Sequence, residues 1–166
     1  MKSPFKFASL FAWILPLLIA IAAPAAFAAD LSITATSVVP SANAIIRNAT
    51  AGVVITAGKL VYKSSTDNKL YLADADSATT NVRDVIGIAT TTAGIGAPCY
   101  FVIEDPALVI GASVTNGTIY GLSATAGGIA PAADFTTGWF VTPVAVGTSS
   151  TTVSFRAKGL RAGAAL

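Results

Sequence analysis

Few side chains in this sequence could do chemistry, and their spacing works against most reactions. None of the 166 residues is a histidine, which removes Ser-His-Asp and Cys-His arrangements and most zinc sites. Cys99 is the only cysteine. With no histidine or neighbouring base to lower its thiol pKa, it is a poor nucleophile. It sits in the strand-like run Pro98-Cys99-Tyr100-Phe101-Val102-Ile103 and reads as a small buried hydrophobe. An intermolecular disulfide in an oxidising compartment is the alternative. Gly111-Ala112-Ser113-Val114-Thr115-Asn116-Gly117 misses the spacing of a nucleophile elbow. Gly94-Ile95-Gly96-Ala97-Pro98 opens like a dinucleotide fingerprint, but Pro98 and an approaching strand spoil it. Asp74-Ala75-Asp76-Ser77 alternates oxygen donors as a calcium loop does, yet lacks the turn glycine and the later bidentate glutamate. Helix-capping or Asx-turn roles suit Asp67, Asp74 and Asp76 better. Glu104-Asp105-Pro106 reads as a solvated turn opener. The sequence thus nominates no catalytic, cofactor-binding or metal-binding residue. The expectation is a protein that is not an enzyme and uses no cofactor, because these residue types assemble no activated nucleophile.

The elements that would carry these residues are strands. Residues 1–28 stand apart from them. Lys2 and Lys6 give a positive start, residues 7–23 are apolar apart from Ser9, and Ala26-Phe27-Ala28 is a small-x-small cleavage site. This is the layout of a secretory signal peptide, an N-terminal hydrophobic helix removed on export. The apolar run also approaches the ~20 residues of a membrane span, so retention as an anchor is the alternative. Residues 29–166 then form a single β domain, large enough to bury a core without metal or disulfides. Losing Lys2 and Lys6 from ten basic residues leaves eight, matched by eight acidic ones. A formally neutral chain lacks the basic excess that nucleic acid requires, and low net charge favours association.

Within the domain, Leu31-Ser32-Ile33-Thr34-Ala35-Thr36-Ser37-Val38 alternates apolar and polar residues, which predicts a half-buried strand. Further strands are expected at residues 44–47, 53–56, 59–63, 69–72, 85–89, 97–103, 108–111, 119–122, 139–146 and 151–157, with one helical turn near Ser77. Turns every eight to twelve residues predict an all-β fold, a small barrel or sandwich of short antiparallel strands. Gly87 marks a close backbone approach. A shift of 59 positions lays Thr56, Gly58, Leu60, Ser64, Thr66, Leu70 and Ala73 on Thr115, Gly117, Ile119, Ser123, Thr125, Ile129 and Ala132. Such a shift suggests one supersecondary unit used twice, an internal two-fold repeat. Chance alignment of common strand and turn residues is the competing explanation.

Lys and Glu, the usual blockers of strand edges, are scarce. Pro40 and Pro143 can blunt two edges; neighbouring subunits are the simplest cover for the rest. The aromatics read as core or hairpin partners, with Trp139-Phe140 as an alternative interface anchor. Arg156, Lys158 and Arg161 read as a solvated end, with docking on an acidic surface as the alternative.

Several runs, taken in order, resemble a known family: Ala29-Asp30-Leu31-Ser32-Ile33-Thr34-Ala35, Ala57-Gly58-Lys59-Leu60-Val61-Tyr62, Leu72-Ala73-Asp74-Ala75-Asp76-Ser77-Ala78, Val85-Ile86-Gly87-Ile88-Ala89 and Tyr120-Gly121-Leu122-Ser123-Ala124-Thr125-Ala126-Gly127-Gly128-Ile129-Ala130-Pro131. Together they look like the head-decoration (cement) proteins of tailed bacteriophages. The resemblance implies a compact β fold without enzymatic activity. It also implies a homo-oligomer, often a trimer, that coats the outside of a viral capsid protein lattice and clamps its subunits. The leader is a departure, because phage decoration proteins are made in the cytoplasm, and Met1 is the only methionine. Two expectations follow. The first is a capsid-stabilising protein of the virion surface. The second is an exported bacterial surface or adhesion protein with the same fold, in the periplasm or at the cell surface, bound to a cell-surface protein lattice. Neither contacts a membrane except through residues 1–28.

Overall fold

The computed structural model describes residues 30–157. The proposed leader and the cations Lys158 and Arg161 lie outside these residues. The described chain runs through β1 (Ile45–Thr50), β2 (Leu60–Lys63), β3 (Leu70–Leu72), a four-residue helix α1 (Thr80–Arg83), β4 (Gly87–Ala89), β5 (Pro98–Val109), β6 (Ile119–Leu122), β7 (Ile129–Pro131), β8 (Pro143–Gly147) and β9 (Thr152–Arg156), with short 3-10 turns at Ala35–Ser37 and Ala132–Asp134. The strands form one sheet, and every named pair in it is antiparallel. The order is β3-β2-β4-β5-β9-β8-β6-β7, with β1 paired to β5 off this path. The eight strands of the path curl into a half-barrel.

This order reads the same from both ends once β2, β3, β4 and β5 are matched with β6, β7, β8 and β9. The 59-residue shift carries β2 onto β6 and β3 onto β7 residue for residue. It also carries Val61↔Leu72 onto Tyr120↔Pro131 and Lys63↔Leu70 onto Leu122↔Ile129. Hydrogen bonds follow the same shift. Ser64 N–H donates to Lys69 O (2.9 Å), as Ser123 N–H does to Gly128 O (3.2 Å). Thr66 N–H donates to Ser64 Oγ, as Thr125 N–H does to Ser123 Oγ. Left-handed turn residues coincide too: Gly58 with Gly117, and Asn68 (φ 59°) with Gly127 (φ 70°). Glycine and asparagine tolerate this conformation, which costs other residues about 1–2 kcal/mol.

Inside the curl lies the main core, with Leu60, Ile88, Val102, Leu108, Ile110, Leu122, Ile129, Val153 and Phe155 all buried. In β9, Val153 and Phe155 point in while Ser154 and Arg156 point out, the period of two expected of a strand with one solvated face. A second cluster covers the outer face of the first half. Val61 and Leu70 pack there with Ala51, Ile55, Ala89, Ala93, Cys99 and Phe101. Each fully buried large aliphatic contributes about 1.5–3 kcal/mol. Gly87 is required where β4 meets β5, because a Cβ there would stand 2.5 Å from Val102 O.

The chain seals both ends of the strand path. Gly52 N–H donates to Leu70 O and Leu31 N–H to Ile129 O, each at 2.8 Å. The two outer hairpins also meet. Leu60 N–H donates to Gly127 O (3.0 Å), Gly127 N–H to Ala73 O (2.6 Å) and Ala75 N–H to Ser123 O (3.0 Å).

Several expectations are corrected. Residues 31–38 are not a strand, because Leu31 bonds to Ile129 whereas Thr34 bonds to Gly111, so no ladder is shared. Residues 53–56 make a single bridge, Ile55↔Ala93. Residues 108–109 are the end of β5 rather than a strand of their own. Glu104-Asp105-Pro106 is no solvated turn. It lies inside β5, where the pairing with β9 slips between Asp105 and Leu108, and a bulge tolerates a proline that cannot donate to the ladder. The sheet is single, so it is a partly closed barrel rather than a sandwich.

Candidate interaction surface

The groups with chemical potential are dispersed. Cys99 is fully buried and free. Its Sγ lies 3.7 Å from Thr91 O, and burial pushes its thiol pKa up. Asp74 accepts the Asp76 N–H at 3.3 Å, the Asx-turn geometry. Burial, followed by a side-chain hydrogen bond with Asp76, raises the Asp74 carboxyl above its ordinary value, against the lowering effect of that N–H. Among the described residues, no three His, Cys, Asp or Glu side chains are grouped to hold a metal ion. Ser113 is exposed beside an open hollow lined by Ser32, Thr34, Ser37 and Thr151. Asp105 is completely buried and accepts from Ser41 N–H (2.8 Å), Ser41 Oγ–H (2.6 Å) and Ala107 N–H (2.9 Å). Its role is to tie the segment entering β1 to the bulge of β5.

Of the aromatic and cationic candidates, Trp139, Phe140 and Arg156 are engaged within the molecule. Trp139 is half-buried against the main core, its ring 6.1 Å from that of Phe135. The Arg83 guanidinium sits 3.3 Å from the centre of the Phe140 ring. Arg156 pairs with Glu104 across β5 and β9.

The largest group of exposed apolar residues among the described ones gathers around strand β1. None of its six residues is buried. It pairs with β5 from Thr50↔Pro98 to Ile45↔Glu104, with a slip between Ile45 and Ile46. Cys99, Phe101 and their partners Ala49 and Arg47 face one another along the ladder, so Ile46, Asn48 and Thr50 turn their backbone groups to the open edge. There the Ile46 carbonyl accepts Nη1 of Arg47 at 3.2 Å. Ile45 and Ile46 are 42% and 41% exposed. Tyr100, opposite Asn48, is exposed beside them. The strip continues through Ala51 N–H to Ala97 O and Gly96 N–H to Ala51 O into the loops that carry exposed Val54 and Ile95. Among the described residues, five of the seven exposed large hydrophobics therefore lie on β1, the start of β5 and the two adjoining loops. Sequence reasoning missed this surface. The available signal was Ile45-Ile46 itself, since adjacent strand residues face opposite ways and cannot both enter one core.

A second feature is the tip of the β2–β3 hairpin. Ser65, Thr66, Asp67 and Asn68 are exposed. Asp67 accepts the Tyr71 hydroxyl at 2.8 Å and the Lys69 N–H at 3.2 Å. The Tyr71 bond is the main cause that holds the Asp67 carboxyl below its ordinary value, and Asp67 in turn raises the Tyr71 phenol.

Comparison with protein-family models finds no match, and comparison with curated proteins finds none either.

Proposed function

We propose that this protein is a non-enzymatic structural protein that binds a repetitive protein lattice as an oligomer, in the manner of the capsid-decoration proteins its sequence resembles. The observation that carries this reading is β1, a strand joined to the sheet by one edge, with five of its six residues exposed, and leading into exposed Tyr100, Val54 and Ile95. Apolar residues gathered beside an open strand edge favour a protein partner. Single contacts of this kind are weak. An oligomer that engages several lattice subunits at once multiplies them, because all must release together. The neutral charge of residues 29–166 is consistent with a protein partner rather than nucleic acid.

The leader-like residues 1–28 favour a second reading, an exported surface or adhesion component that uses the same strip. Fractionation of producing cells separates the two. Co-migration with gradient-purified virions supports decoration, and an Ile46→Asp variant should lose that co-migration while remaining folded. Recovery only in the envelope supports the surface reading. A compact monomer that joins neither particles nor envelope would end both.

A further inference from the structure

Gly127, on the tip of the second hairpin, is buried in the molecule, whereas its counterpart Asn68 on the first is exposed; Thr125 and Ala126 of the second tip stay exposed. Gly127 sits against the base of the first hairpin through its bonds with Leu60 and Ala73. A Cβ on Gly127 would stand 3.0 Å from Leu72 Cδ2 and 3.1 Å from Lys59 Cδ, a tight fit at a residue whose positive φ already favours glycine. Adding 59 to each position describes a reciprocal socket at the base of the second hairpin. Leu60 becomes Ile119, Lys59 becomes Thr118, Leu72 becomes Pro131, and Ala73 becomes Ala132. Gly127 has Asn68 as its counterpart, with the same left-handed backbone.

Among the described residues, no hydrogen bond joins Asn68 to Ile119 or Ala132 in the way Gly127 is joined to Leu60 and Ala73. Helix α1 holds the first tip elsewhere: Asn81 accepts the Ser65 N–H and donates its Nδ2 to Lys63 O, both at 3.1 Å. Leu60, at the filled socket, is 0% exposed, while its counterpart Ile119 is 45% exposed. The sizes also interchange. The filled socket has two long side chains and takes a residue without a Cβ. The open one has the shorter Thr118 and Pro131 in their place, and the residue that would enter it, Asn68, carries a Cβ. At the position equivalent to Ala75 stands Asp134, whose Oδ2 is shut off from solvent and accepts no hydrogen bond. The first tip, with Ser64, Ser65 and Thr66, is rich in hydroxyl donors.

We propose that the tip of the first hairpin, around Asn68, inserts beside Thr118, Ile119 and Pro131 of a second copy of this chain, repeating between molecules the contact that Gly127 makes within one. Tip and socket are different surfaces, so the interface is head-to-tail and builds a ring where the rotation closes. The inference does not depend on which lattice the protein binds, and its test needs no lattice.

Sedimentation equilibrium of the purified full-length protein is expected to give a concentration-dependent mass, a multiple of 16.7 kDa. Ile119→Asp puts a carboxylate into the apolar socket, facing a tip that itself carries Asp67 next to Asn68, and should weaken association at least about tenfold, with the thermal unfolding curve little changed. Asp67→Lys in the same chain should restore most of it by supplying the opposite charge. A wild-type protein monomeric at every concentration would overturn the proposal. So would association unaffected by Ile119→Asp, or a double variant that stays dissociated.

Discussion

Removing the Asp105 carboxylate tests whether the bulge of β5 is held by a buried acceptor. Asp105→Ala deletes an acceptor that satisfies Ser41 N–H, Ser41 Oγ–H and Ala107 N–H at 2.6–2.9 Å. Hydrogen bonds to a charged acceptor contribute about 1.5–3 kcal/mol each, and a buried donor left alone costs about 1–3 kcal/mol. Ser41 is only half-buried, so water can replace part of what its two donors lose, and the three contributions do not simply add. An expected loss of about 3–4 kcal/mol follows, or roughly 10 °C in midpoint for a domain of this size. Asp105→Asn keeps one carbonyl acceptor and should lose about half as much.

Urea unfolding followed by Trp139 fluorescence measures these losses. Ser41→Ala, which removes only the hydroxyl donor, should cost about 1 kcal/mol alone. Added to Asp105→Ala it should cost almost nothing more, because its partner is already gone. The reasoning fails if Asp105→Ala unfolds within about 1 kcal/mol of the wild type, or if the two substitutions are additive.

Three other outcomes are expected. Gly147→Ala should abolish stable folding, since a Cβ there would lie 2.1 Å from the Thr115 backbone oxygen; soluble yield and circular dichroism check it. Cys99 should resist a thiol reagent in the native protein and react at the rate of unfolding, because its thiol is buried and its pKa is raised; rapid native labelling would contradict this. The Asp134 carboxyl is raised by burial and then by the charge of Asp30. A raised carboxyl favours the protonated form on folding, so its contribution is full below the ordinary value near 3.8 and is lost as pH rises through the folded value. Asp134→Asn should therefore be more stable than the wild type at neutral pH, with the gap closing as pH falls toward 3.8; thermal midpoints across that range measure it.

The two hairpins were legible because their turns demand particular residues. Gly58, Gly117 and Gly127 adopt positive φ, and Ser64 and Ser123 each bond the N–H two residues on. Such requirements are local, so they survive in sequence and reveal the 59-residue shift. Strand partners leave no comparable mark. Residues 31–38 alternate as a strand should, yet the Leu31 N–H goes to Ile129, that of Thr34 to Gly111, and those of Ser37 and Val38 back to Thr34 and Ala35. Pro106 reads as a break because its missing N–H is visible in sequence, while the bulge that makes this harmless depends on where β9 ends. The exposure of β1 was hidden for the same reason. Burial of Ile45 and Ile46 depends on what lies beside the strand, and hydrophobicity alone does not say.

The same reasoning explains why the two halves, alike in register, differ in surface. The first half is packed on both faces, by the main core and by the second cluster. The second half lacks such an outer layer at Ile119. Segments 49–57 and 90–97 build that layer, and they also carry Val54 and Ile95 outward. Covering one half of a sheet whose halves share a register therefore moves apolar exposure onto the cover, while the uncovered half keeps its own at Ile119. Under the proposed readings these two exposures have separate partners, the strip beside β1 for a lattice and the socket at Ile119 for another copy. If so, Ile46→Asp and Ile119→Asp should act independently: the first should weaken attachment without changing self-association in free solution, and the second should weaken self-association directly and attachment only through lost avidity. Equal loss of both properties in both variants would mean that the strip and the socket belong to one interface.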